Sequence, residues 1–303
     1  MWSRRSFLKH ASCTIASMAT LDAYSASAKT GPLGKPIGIQ LYTVGADIAK
    51  DLPGTLKTLA DIGYREVEFP GGPTRMPAPE LRKLLTGLGL VCPSIHASMS
   101  ELQANPREKI ELARGLGARY VVCSFPWTAD GRFQTARGNM AAEMTLDDWK
   151  WNAEQLNRIG ELAKQAGIRL GYHNHNLEFR SYGGTVAFDQ LLRWTDPKLV
   201  AIQLDIAWVA TAGVDPLRYL RDPAGRVELL HVKEVRKDLQ VMVDQVKAQT
   251  TELGRGLIDW PKLFAAMDPK QIRHYFVEQE NFEGSPLDAV RVDFEYLHRL
   301  GKG

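Results

Sequence analysis

Strand-like and amphipathic helix-like segments alternate along almost all of this chain, and that alternation constrains its fold more than any other feature. Short apolar, β-branched or aromatic runs fall at residues 37–42, 66–69, 91–95, 120–124, 168–172, 201–204, 227–232 and 274–277. Between them lie segments with helical periodicity, such as 52–62, 79–88, 106–116, 146–166 and 286–300. Several ends carry signals of their own. Gly63, Gly89, Gly117 and Gly167 fall where a helix must stop and turn into the next strand. Thr145 with Asp148 resembles a capping box, with Asp in place of the usual Glu or Gln. Ser285-Pro286 supplies an N-cap followed by proline at the first helical position. Units of about 30 residues repeated eight times, with no break in composition, predict an α/β fold: a single (β/α)8 TIM barrel over 37–303. A chain of 303 residues that is 44 % hydrophobic can bury a core of that size. A doubly wound sheet is the competing architecture. It usually shows a glycine-rich phosphate loop after an early strand, whereas Gly71-Gly72 and Gly183-Gly184 are isolated pairs that read as turns.

The first residues stand outside this pattern. Ser3-Arg4-Arg5-Ser6-Phe7-Leu8-Lys9 resembles a twin-arginine export signal, followed by a mildly apolar stretch and an Ala26-Ser27-Ala28 cleavage site. Residues 1–28 are therefore expected to be a signal peptide and 29–36 a short leader, with the mature protein periplasmic or secreted. The stretch is too short and too polar to span a bilayer, and no later run approaches membrane length. Two of the three excess positive charges lie in 1–28, from Arg4, Arg5 and Lys9 against Asp22. The remainder gives no support for a nucleic-acid or anionic-membrane partner. Beyond Cys13 only Cys92 and Cys123 remain, both inside expected strands. They read as buried free thiols, with a cross-strand disulfide as the minority alternative. Residues 128–144 read as a long loop after the fourth strand, either a lid over the barrel mouth or an insertion without function.

Four of the later strands end in a potential metal ligand: His173, Asp205, His231 and Glu278. Each alone has a plainer reading, as a hydrogen-bonded histidine, a helix N-cap or a solvated acid. All four share one phase at one end of their strands, so on a closed barrel they converge. Two imidazoles and two carboxylates suit a divalent metal such as manganese, zinc, cobalt or iron better than calcium. His175, Glu178, Lys233 and Glu234 lie close by in sequence and could support that set. Gln40, Tyr42, Glu68 and His96 end the first three strands and are expected to line the rest of a substrate pocket. Trp208, just past Asp205, could stack on a sugar ring or simply pack beneath its loop.

At these residues the chain resembles the sugar phosphate isomerase/epimerase superfamily, also described as the xylose isomerase-like barrel. The resemblance rests on Gly38-Ile39-Gln40-Leu41-Tyr42-Thr43-Val44, Tyr172-His173-Asn174-His175 through Glu178-Phe179, and Gln203-Leu204-Asp205 with Trp208 and Ala212-Gly213. It continues through His231-Val232-Lys233, Leu253-Gly254-Arg255-Gly256 to Asp259-Trp260, and Val277-Glu278-Gln279-Glu280, and so covers about residues 37–300. The resemblance implies a divalent metal and chemistry next to a sugar carbonyl through an enediolate. Glu278 matches a metal-binding, proton-transferring glutamate, and Asp205 and His231 match two further ligands. One departure stands out: many epimerases of the superfamily carry a second glutamate where this chain has His173. A second proton carrier would then come from His175, Lys233, Glu68, His96 or Glu280.

The leading expectation is a metal-dependent isomerase or epimerase acting on an unphosphorylated sugar or keto-sugar. A 3-keto-glycoside lyase or dehydratase on the same metal site is the alternative, motivated by His173, and a non-catalytic sugar-binding protein is a third reading. An endonuclease IV-type site needs more histidines than the chain supplies, since His274 and His298 lie away from the strand ends. The expected partner is a small sugar or glycoside, and a homo-oligomer stays open.

Overall fold

The computed structural model describes residues 30–72, 76–132, 144–221 and 225–302. The expected signal peptide lies outside them, as does most of the long loop after the fourth strand. Eight parallel strands close into a barrel. They are β1 (Gly38–Gln40), β2 (Glu66–Phe69), β3 (Val91–Ala97), β4 (Tyr120–Cys123), β5 (Arg169–His173), β6 (Val200–Asp205), β7 (Val227–Val232) and β8 (His274–Val277). Each strand hydrogen-bonds its sequence neighbours, and β8 closes on β1 through Gly38 opposite Phe276. Helices alternate with them: α1 (Leu52–Ile62), α2 (Ala78–Gly87), α3 (Pro106–Leu116), α4 (Leu146–Gln165), α5 (Ala187–Trp194), α6 (Ile206–Thr211), α7 (Trp260–Ala265) and α8 (Pro286–Leu300). The expected (β/α)8 TIM barrel is the fold.

Local chemistry explains most boundaries. Thr145 and Asp148 form the capping box of α4, the Thr145 hydroxyl accepting the Asp148 N–H at 3.2 Å and the Asp148 carboxylate accepting the Thr145 N–H at 2.7 Å. A shorter acid therefore serves where Glu is usual. Pro286 opens α8, but the Ser285 side chain makes no capping bond. Gly117 ends α3 at φ +79°, a left-handed turn that a Cβ would strain. The first strand is shorter than its apolar run. After Gln40 the chain turns into a 3-10 helix, Leu41–Val44, because the Gln40 side chain accepts the Tyr42 N–H. Gly183-Gly184, both at positive φ, form a tight hairpin turn between Ser181–Tyr182 and Thr185–Val186.

Two apolar layers result. The larger lies between strands and helices and holds most of the buried aliphatic residues. The smaller fills the barrel itself, with Tyr120, Val122, Ala201, Leu229 and Phe276. Phe276 fits there because Gly38 beside it has no side chain: a Cβ on Gly38 would stand 2.6 Å from the Phe276 ring. Beneath this plug, His274 pairs with Glu66 at 2.8 Å, and Arg169 with Glu228 at 2.7 Å. Above it, at the carboxyl ends of the strands, the interior turns polar. Cys92 and Cys123 are buried free thiols, so the disulfide alternative falls. Among the described residues no helix is long and apolar enough to cross a membrane.

Candidate metal centre

Strand register brings the polar residues together. Asp205 on β6 lies opposite His231 on β7, His173 on β5 opposite Gln203 on β6, and Gln40 on β1 opposite Glu68 on β2. Parallel neighbours in register point the same way, so all of these face inward. Glu278 follows β8 two residues past the inward Phe276 and shares its face.

Ligand atoms of Asp205, His231 and Glu278 lie within 4.8 Å of one another. The Asp205 carboxylate is divided between two tasks. Its Oδ1 accepts the Trp208 N–H at 2.9 Å and caps α6, while Oδ2, buried, has no hydrogen bond. His231 Nδ1 sits 3.8 Å from that Oδ2 and against Glu278 Oε2, likewise without an aligned hydrogen bond. Buried ligand atoms on a histidine and an aspartate, without aligned hydrogen bonds and converging beside a second carboxylate, fit a divalent metal that would displace the proton on Nδ1. His173 belongs to an overlapping group with His96 and His231.

The electrostatics agree with a cation-binding, water-poor site. Burial opposes charge on His231, but Glu278 and then Glu68 override it and push its pKa up to about 10. Burial would raise Glu278 too, yet Lys233 and then His231 hold it well below the carboxylate range. Asp205 is pushed up to about 6, chiefly by burial. His173 and His175 go the other way. Burial first, then their cationic neighbours, lowers both, His175 to about 3, so each is a neutral imidazole. Lys233 is buried between carboxylates, 3.0 Å from Glu278, 3.8 Å from Asp205 and against Glu280. Burial works against its charge, but those acids raise its pKa and keep it an ammonium.

Beside this centre opens a cavity of about 230 Å³, walled by Gln40, Tyr42, His96, His173, His175, Glu278 and Glu280 together with Pro70, Ser124 and Phe125. A family model for the xylose isomerase-like TIM barrel matches residues 56–300. The chain belongs to that family. Among curated relatives, inosose dehydratase of Geobacillus kaustophilus is 26 % identical over 289 residues, covering 82 % of this chain and 90 % of that protein. Among solved structures, a sugar phosphate isomerase/epimerase from Parabacteroides distasonis superposes with a TM-score of 0.71 at 24 % identity, over 87 % of this chain and 93 % of the other. The IOLI protein, solved with a bound zinc atom, superposes with a TM-score of 0.67 at 11 % identity, over 88 % of this chain and 98 % of that one. Family and relatives together make this xylose isomerase-like barrel an enzyme.

Most residues expected to form the site do meet at this face, but two expected substrate contacts need correction. Glu68 does not reach the cavity. It is fully buried beneath it, with His231 Nε2 at 2.6 Å, His96 Nε2 at 3.0 Å and the Gln40 amide at 2.9 Å. With the Gln203 amide at 2.7 Å, donors from four strands converge on it. Trp208 does not offer a face to sugar. It is buried, and the Lys233 ammonium sits 4.6 Å from its ring centre, a cation–π contact that occupies the face. The exposed aromatic at the mouth is Tyr42, 61 % accessible. Glu178 supports the floor rather than a ligand, accepting the Tyr172 hydroxyl at 2.8 Å. Glu234 anchors the loop before α7, accepting the N–H groups of Gly254 and Ile258 and the Trp260 indole.

Two contributors escaped sequence reasoning. Gln203 touches Glu68, His96 and His173 at once, at 2.7, 2.7 and 3.1 Å. Its signal was a polar residue two before Asp205 on the same face of a buried strand. Asn174 accepts the Asp205 N–H at 3.0 Å and so locks the end of β6 to β5. Nothing in its own segment marks that contact.

Proposed function

We propose that this protein is a divalent-metal-dependent lyase of dehydratase type, which removes the proton beside the carbonyl of an unphosphorylated keto-sugar or keto-polyol and expels the β-oxygen substituent. One observation carries the reading. Both carboxylates that wall the cavity, Glu278 and Glu280, come from the end of a single strand, whereas the walls from β3 and β5 present the imidazoles His96, His173 and His175. Epimerisation by paired carboxylates needs an acid–base group of the same kind on each face of the enediolate. Elimination needs a strong base on one side only.

Asp205, His231 and Glu278, joined by His173, would hold the metal. When bound, a divalent ion there supplies Lewis acidity to a carbonyl oxygen and lowers the cost of the enolate. The chain's own groups do the rest. Glu278, kept as a carboxylate, takes the α-proton. Lys233, a buried ammonium beside it, stabilises the negative charge that develops. As the C–O bond at the β-carbon breaks and the C=C bond forms, the departing oxygen takes the proton that Glu278 removed from the α-carbon and leaves as water or as an alcohol, which restores the carboxylate. His175, which lines the cavity with an unpartnered Nδ1, is placed to hydrogen-bond that oxygen. No lysine or arginine among the described residues lines the cavity, which suits a substrate without phosphate. The similarity to an inosose dehydratase over most of both chains supports a cyclic keto-polyol or a 3-keto-glycoside.

Isomerisation shares the first half of this chemistry, and the same assay separates the two. The zinc- or manganese-loaded protein is incubated with an inosose or a 3-keto-glycoside in deuterated water. Elimination predicts an unsaturated ketone absorbing in the ultraviolet, with release of water or aglycone, and loss of at least about 100-fold in rate in Glu278→Gln. A deuterated isomer without elimination would move the assignment to isomerase. Neither product, with Glu278→Gln indistinguishable from wild type, would end both readings.

A further inference from the structure

We infer that Gln203 and Glu68 act as positioning residues that dictate which ring nitrogens of His173 and His231 are free to bind a metal. Glu68 anchors the arrangement. A buried carboxylate only accepts hydrogen bonds, and this one is fully enclosed. Its Oε1 receives the Gln203 side chain at 2.7 Å, and its Oε2 receives His231 Nε2 at 2.6 Å. Gln203 must therefore turn its NH₂ toward Glu68 and its carbonyl toward the histidines. The amide orientation, ambiguous on shape alone, is decided by that partner.

A carbonyl oxygen also only accepts. The Gln203 Oε1 lies 2.7 Å from His96 Nε2 and 3.1 Å from His173 Nδ1, so both nitrogens carry protons. A neutral His173 protonated at Nδ1 keeps its lone pair on Nε2. On the other arm, His231 donates from Nε2 to Glu68, so the nitrogen whose proton a metal can displace is Nδ1, which lies between Asp205 and Glu278. One carboxylate thus assigns two imidazole tautomers, directly for His231 and through Gln203 for His173. The arrangement follows from the barrel. Gln203 is in register with His173 across β5 and β6, and two residues from Asp205 along β6. It also excludes His231 Nε2 as a metal donor, so the group formed by His96, His173 and His231 is not a second centre through that nitrogen.

The inference rests on the metal reading for His231 but not for His173, and nitrogen-15 spectra of the histidine rings test both parts. In the full chain stripped of metal by chelation, His173 is expected to show a protonated Nδ1 and an unprotonated Nε2, its signals identified by their loss in His173→Gln. In the zinc-loaded chain, His231 is expected to retain a slowly exchanging proton on Nε2. Gln203→Met, which removes donor and acceptor at similar size, should let His173 sample both tautomers and weaken zinc binding roughly 10–100-fold. The signals of His274 and His298, remote from the site, should stay in place. A wild-type His173 protonated at Nε2 overturns the inference without any variant, and so does an unchanged His173 tautomer in folded Gln203→Met. Absence of zinc binding with the Nδ1 proton in place would instead remove the metal reading and leave the His173 assignment standing.

Discussion

Asp205 shows how much one side chain can be asked to do at a strand end. It is at once the last residue of β6, the cap of α6 and a carboxylate with one oxygen left over. A second aspartate, remote from the site, offers a cleaner test of burial. Asp293 lies inside α8 and accepts the Leu253 N–H at 2.7 Å. Burial first, and then Glu252 and Glu234, push its carboxyl up to about 8. An unfolded aspartate titrates near 3.9, so between about pH 4 and 8 the folded chain holds a proton the unfolded chain has released. Stability therefore falls as pH rises through that window. Asp293→Asn keeps the acceptor for Leu253 and has no charge to bury. It should match wild type at pH 4 and exceed it at pH 8 by up to about 5 kcal/mol in urea unfolding. Parallel curves for the two proteins across the window would show that Asp293 is ionised in the fold.

Secondary-structure elements carry the site by their register rather than by their own stability. Gly38 illustrates the constraint, since an added Cβ would meet the Phe276 ring at 2.6 Å and the Tyr275 carbonyl oxygen at 2.7 Å. The ring could turn; the backbone oxygen of a closed barrel has nowhere to go. Gly38→Ala is expected to cost about 1–3 kcal/mol, read as a lower urea midpoint at unchanged slope. Recovery of part of that loss in the double variant with Phe276→Leu would locate the strain at the ring. A loss below about 0.5 kcal/mol would mean that β1 and β8 can separate without harm. The α4 capping box was readable from Thr145 and Asp148 alone, because its partners sit three residues apart. The early end of β1 was not. It depends on where the Gln40 side chain goes, and an apolar run continuing to Tyr42 conceals that choice.

At the scale of the whole molecule, metal affinity and fold stability should be linked. Asp205, His231 and Glu278 come from β6, β7 and the end of β8, so an ion bound by all three ties strands that the unfolded chain does not hold together. Saturating zinc or manganese at 100 times its dissociation constant is expected to stabilise the fold by about 2.7 kcal/mol, measured as a rise in Tm over the chelated protein. Asp205→Ala should abolish that rise. A Tm indifferent to chelation in the wild type would argue against a metal held in this barrel mouth.

Repetition and phase along the sequence were enough to determine the barrel and the end of it where the chemistry lies. Alternating buried strands and amphipathic helices leave few architectures, and a polar residue where a buried strand surfaces is hard to explain as packing. Asp205, His231 and Glu278 could be found that way. What the tertiary structure alone decided was which of the other polar residues face the cavity and which stand behind it. Glu68 and Trp208 each have the composition of a substrate contact, yet one is enclosed by four side chains and the other has its ring covered by Lys233. Gln203 showed only polarity until β5 and β6 placed it between Glu68 and His173. Such roles depend on distances between strands far apart in the chain, set by closure and register of the sheet, and no local pattern encodes them.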